Sequence, residues 1–187
     1  MTFHCFTKRF HAAVLVCLAL ALPAHAHTGR GPAMPEEAAH VAQIAQIATA
    51  SDRDTVATMT SADGRWFQKW TTGSPTTTSV PTRPAFWLMN GAAKGELKRV
   101  VIFQHAVSTA AFQLQHHIQD PRKIPENFAE SLDSVTLAGL EGVLRAYENM
   151  LPAHPGIRSA ELDAALAARD KGTLAQFVAA LPPMPRR

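Results

Sequence analysis

Histidine is the residue type in this sequence best placed to do chemistry. Past residue 26 it stands at His27, His40, His105, His116, His117 and His154. Imidazole titrates near neutrality and ligates metals. His105 and His116 are eleven residues apart and would share one face of a helix. They would also stand about 16 Å apart along its axis, too far to hold one ion. His116 and His117 are neighbours that point apart near a helix carboxyl end, where a cation meets the dipole favourably. The expectation for these histidines is therefore surface or capping roles. Ser108 follows His105 by three residues, a spacing that can meet on a helix. As a nucleophile and base the pair lacks an orienting acid and an oxyanion signal. Ser108 and Thr109 read as helix-surface or back-bonding hydroxyls. Asp52 with Asp54, and Glu130 with Asp133, read as solvated charges near helix ends.

His27 is the sharper metal candidate. Ala24-His25-Ala26 follows an apolar run and has the form of a peptidase site. Cleavage after Ala26 would give His27 a free amine beside its imidazole. Those two nitrogens, with a further histidine, can hold copper. Cleavage after Ala24 would instead start the chain His25-Ala26-His27, which suits square-planar Cu(II). Without such a site no cofactor is expected.

The aromatic residues offer a surface rather than a reaction. Trp66, Phe67, Trp70, Phe86 and Trp87 bracket a threonine- and proline-rich stretch. Tryptophans supply core area in small domains, and they are also enriched where partners dock. These five are the candidate binding residues. There is no His-Glu-x-x-His, Gly-x-Ser-x-Gly, phosphate-cradling glycine loop or calcium-loop spacing, so the residues favour binding over catalysis.

The compartment follows from the first 26 residues. Lys8 and Arg9 precede an unbroken apolar run from Ala12 to Leu22, which Pro23 ends. Charge, apolar core and small-residue site in that order predict a secretory signal peptide over residues 1–26. The run is about half the length a membrane span needs, and later apolar stretches are all interrupted, so no transmembrane segment is expected in the mature chain. Cys5 and Cys17 both lie in the leader. Residues 27–187 therefore have neither disulfides nor thiol chemistry, and their stability must come from ordinary burial. Lys8 and Arg9 belong to the 18 basic residues, while none of the 15 acidic ones is in the leader, so the remainder is near neutral. Its basic residues are scattered, which argues against a nucleic-acid partner.

The elements that must position these residues read as helices. Residues 27–34 predict a mobile tail and 35–183 a single domain, with a short tail at 184–187. Pro35-Glu36-Glu37 opens a first helix to about Ala50. Residues 51–70 are ambiguous: Asp63-Gly64 is a hairpin signal, whereas Trp66, Phe67 and Trp70 fall on one helix face, which makes helix the preferred reading for the second half. Residues 71–84 read as a loop. A helix over roughly Glu96–Gln119 follows from 3-4 spacing. Leu137, Leu140, Leu144, Tyr147 and Leu151 predict another over Ser134–Leu151. Ser159 caps a helix ending near Gly172, and Thr173 caps the last. The expected fold is mainly α, a small bundle of about five helices. The alternative is α+β, with a small β-meander in residues 55–103. The function this implies is an exported, non-catalytic accessory protein that engages another exported protein. The alternatives are a copper-handling protein using His27 and an enzyme of unfamiliar type with dispersed residues, His105 and His116 among them.

Overall fold

The computed structural model describes residues 35–73, 92–116 and 128–181. Seven α-helices follow in chain order: α1 (Pro35–Arg53), α2 (Thr55–Thr60), α3 (Ala62–Gly73), α4 (Gly95–Gln115), α5 (Phe128–Met150), α6 (Ala160–Asp170) and α7 (Leu174–Ala180). A single 3-10 turn at Pro155–Ile157 joins α5 to α6. No strand occurs among the described residues. The mainly helical reading stands, and over 55–73 and 92–103 the meander does not. Residues 1–34, on which the signal-peptide and tail expectations fall, and residues 74–91, 117–127 and 182–187 lie outside the described residues.

There are more helices than expected because two capped breaks divide residues 35–73. Asp54 is extended and its carboxylate accepts the Ala57 N–H at 2.9 Å, ending α1 and starting α2. Ser61 makes the second break: its hydroxyl donates to the Thr58 carbonyl at 2.7 Å and accepts the Gly64 N–H at 3.0 Å. Gly64 packs directly under that carbonyl, and a Cβ there would also come within 2.9 Å of the Met59 oxygen. Asp63-Gly64 thus belongs to the first turn of α3 rather than to a hairpin. The glycine is required by close packing, not by a positive φ.

α4 is the centre of the molecule. It runs along α5 and, on its other side, against α1. Leu97, Val100 and Val101 join Leu140, Val143, Leu144 and Tyr147 of α5 in one apolar cluster, which Leu162 of α6 and Val178 of α7 close. Phe103, Val107 and Ala110 join Ile44 and Ile47 of α1 and Phe67 of α3 in a second. Burial of such side chains contributes roughly 1.5–3 kcal/mol each, and the described residues contain no cysteine that could add a crosslink.

The carboxyl-terminal helices dock through polar contacts chosen by the sequence. Tyr147 is fully buried; its hydroxyl accepts the Ser159 N–H at 2.9 Å and donates to Asp163 Oδ1 at 2.9 Å. Ser159 caps α6 as predicted, its Oγ accepting the Leu162 N–H at 3.4 Å. Gly172, at φ +69°, ends α6, and the Thr173 N–H reaches back to the Ala168 carbonyl at 2.8 Å. That is the Schellman arrangement, which favours glycine at the left-handed position. Thr173 precedes α7 without capping it through its side chain. Its hydroxyl donates instead to the Ala168 carbonyl at 3.1 Å, because the Gly172 turn aims it back at α6.

Candidate functional site

The spacing of Trp66, Phe67 and Trp70 puts them on neighbouring faces of α3. Phe67 turns inward, 1% exposed, with its ring edge-on to Phe103 at 5.8 Å. Trp66 and Trp70, one turn apart, are half-buried and stack with centroids 6.0 Å apart and planes at 16°. His40 of α1 completes the group, 5.6 Å from Trp66 and 6.1 Å from Trp70. The result is an aromatic group with one polar ring at its side, partly exposed and packed against the cluster of Ile44, Ile47 and Phe67. Such rings present flat apolar area at small entropic loss, and an indole N–H can add a directed donor. Phe86 and Trp87, the other two aromatic candidates, lie outside the described residues, as does His27.

A second group of polar side chains lies inside the α1–α4–α5 packing. Gln104 of α4 is fully buried. Its Oε1 accepts from the hydroxyls of Ser51 and, at 3.2 Å, Thr55. Its Nε2 donates to Asp52 Oδ1 at 2.8 Å and to Ser108 Oγ at 3.1 Å. Asp52 in turn receives Arg145 Nε at 2.9 Å, and Asn149 Nδ2 donates to its backbone carbonyl at 2.8 Å. Asp54 caps α2 and Asp52 ties α1 to α4 and α5, so neither is merely a solvated charge. One amide with every polar atom engaged is a fixing element, since a half-satisfied buried network would be unfavourable.

Ser108 and Thr109 are buried, not on the helix surface as expected. The reason lies across the interface. Gly139 and Gly142 of α5 bring its backbone close enough to cover them. A Cβ on Gly139 would approach His105 Nε2 to 2.7 Å and Thr109 Oγ1 to 2.8 Å, and one on Gly142 would come within 2.6 Å of Ser108 Cβ. His105 packs in the same seam, and burial lowers its pKa to about 4, leaving a neutral imidazole at pH 7. The hydroxyl of Ser108 serves Gln104, and the His105 ring meets Gly139 and Thr109. His116 sits at the exposed end of α4 with its ring 4.3 Å from that of Phe112. His154 precedes the 3-10 turn and is exposed. Among the described residues no three His, Cys, Asp or Glu side chains are grouped to hold a metal ion.

Thr109, read from the sequence as a surface or back-bonding hydroxyl, and Gln113, which sequence reasoning missed, stand along the same face of α4. Thr109 Oγ1 and both amide atoms of Gln113 are buried without a hydrogen-bond partner. The signal that could have found this seam is the Gly-x-x-Gly spacing at 139–142, inside what reads as a strongly apolar helix.

None of the described helices is long and apolar enough to cross a membrane. Compared with protein-family models, curated proteins and solved structures, the chain matches none of them.

Proposed function

We propose that this chain is an exported helical accessory protein that acts by binding another exported protein through the face formed by His40, Trp66 and Trp70. The observation that carries the reading is the division of labour on α3. Phe67 alone enters the core, while two stacked tryptophans remain half open beside a histidine. Large aromatic side chains left at a surface supply the anchors of protein interfaces. Export rests on the order of charge, apolar run and Ala24-His25-Ala26 at the start of the sequence.

Two measurements test the two halves. The full-length protein is expressed with its leader and its mass determined from the envelope fraction. A chain beginning at His27 supports export, and an intact Met1 in soluble internal material ends it. A Trp66→Ala/Trp70→Ala variant with unchanged helical circular dichroism is then compared with wild type for crosslinking to an identified envelope protein. Loss of that crosslink supports the aromatic face; equal yield from both proteins sinks it.

A further inference from the structure

Thr109 and Gln113 lie one turn apart on α4, in line with His105 one turn earlier. Each is 1% exposed. Among the described residues no group forms a hydrogen bond with Thr109 Oγ1, Gln113 Oε1 or Gln113 Nε2. The contrast with Gln104 is instructive: the same residue type, nine positions earlier on the same helix, has its amide engaged at both ends. Native interiors satisfy buried amides and hydroxyls, either with protein or with a bound molecule. The register that sets Gly139 against His105 and Thr109 puts Gln113 level with the preceding turn of α5, whose buried members are Val135 and Thr136. Neither of these carries a formal charge, and the His105 imidazole is neutral.

We propose that Thr109 and Gln113 form a buried binding position for a small uncharged molecule that both donates and accepts hydrogen bonds, either water or a compact carboxamide. The chemistry selects that class. A glutamine amide presents one acceptor and two donors in a plane, and a threonine hydroxyl adds one of each. A carboxylate could use the donors but would oppose the Oε1 lone pairs, and an ammonium group could use the acceptors but would oppose the Nε2 donors. A neutral group that both donates and accepts suits the pair without the cost of burying a charge. This position is distinct from the α3 tryptophan face and does not depend on the function proposed for it.

Gln113→Met keeps the side-chain length and removes both polar atoms. With an occupant in place, the variant removes the occupant's partners, and the melting temperature falls by about 2–4 °C for each kcal/mol lost in a chain of this size. Thr109→Val should shift it in the same direction. A rise in melting temperature for Gln113→Met would mean the amide was dry, and overturns the proposal. The wild-type protein gives an independent reading if a variant does not fold. Transfer of magnetisation from solvent to the Gln113 side-chain amide identifies water. A saturable shift of that amide on addition of acetamide, absent in Gln113→Met, identifies the carboxamide. An amide that answers to neither, with a protein group seated on it in a near-atomic structure, refutes the assignment.

Discussion

Gly142 of α5 lies directly against Ser108 of α4, with no room for a methyl group between them. In an exposed helix, glycine to alanine gains about 1 kcal/mol from propensity. Here the added carbon must displace the Ser108 side chain and, through it, the Gln104 amide. Gly142→Ala is therefore expected to destabilise by about 1–3 kcal/mol, as overpacked cores do. Urea unfolding gives the sign, and a stabilised variant would show that the two helices do not approach as described.

The Tyr147 hydroxyl joins α5 to the start of α6. Tyr147→Phe keeps the ring and removes both contacts, leaving the Ser159 N–H buried without its acceptor. A loss of about 1–3 kcal/mol is expected. The midpoint of chemical unfolding should fall with little change in slope, because the surface exposed on unfolding is the same.

His105 makes stability depend on acid. Its pKa is lowered from 6.5 to about 4 by burial, so between those values the unfolded chain takes up a proton that the folded one refuses. Stability is fully present above pH 6.5, declines as pH falls, and levels off near pH 4. The total loss is roughly 3 kcal/mol from this group. His105→Asn should flatten that part of the profile in unfolding experiments between neutral and acid pH. An unchanged slope would mean the ring is solvated.

The three aromatic residues of α3 should separate by stability. Phe67→Ala opens a core cavity and is expected to cost about 3–5 kcal/mol. Trp66→Ala removes a half-open ring, with an expected loss of about 1–2 kcal/mol. Comparison by thermal unfolding checks both. If Trp66→Ala proved as damaging as Phe67→Ala, the face would be core and the binding role would lose its basis.

Much of the fold is legible in the sequence where the determinants are local. The stripe from Leu137 to Leu151 tracks α5. Ser159 and Gly172 mark the ends of α6 with the residue types those backbone positions demand. Asp63-Gly64 is ambiguous in one dimension, because the dipeptide serves a hairpin or a crowded helix start equally well. Only the Thr58 carbonyl overhead decides between them. The buried seam is not legible, since periodicity counts apolar residues on one helix. The sequence of α4 does not reveal that two glycines on another helix cover Ser108, Thr109 and Gln104. Of the aromatic candidates, spacing placed Trp66 and Trp70 together. His40 joins them from 26 residues earlier, through the α1–α3 packing that no local pattern encodes.

Because α4 supplies buried residues to both apolar clusters, it is the main wall they share, with Met59 of α2 touching both. The helices on either side can fray or lift one at a time while α4 keeps half its cover. Its central amides, around Val100 to Val107, should therefore be the slowest in the chain to exchange with deuterium. The outer helices α3 and α7 would set the faster, independent rhythms of the molecule.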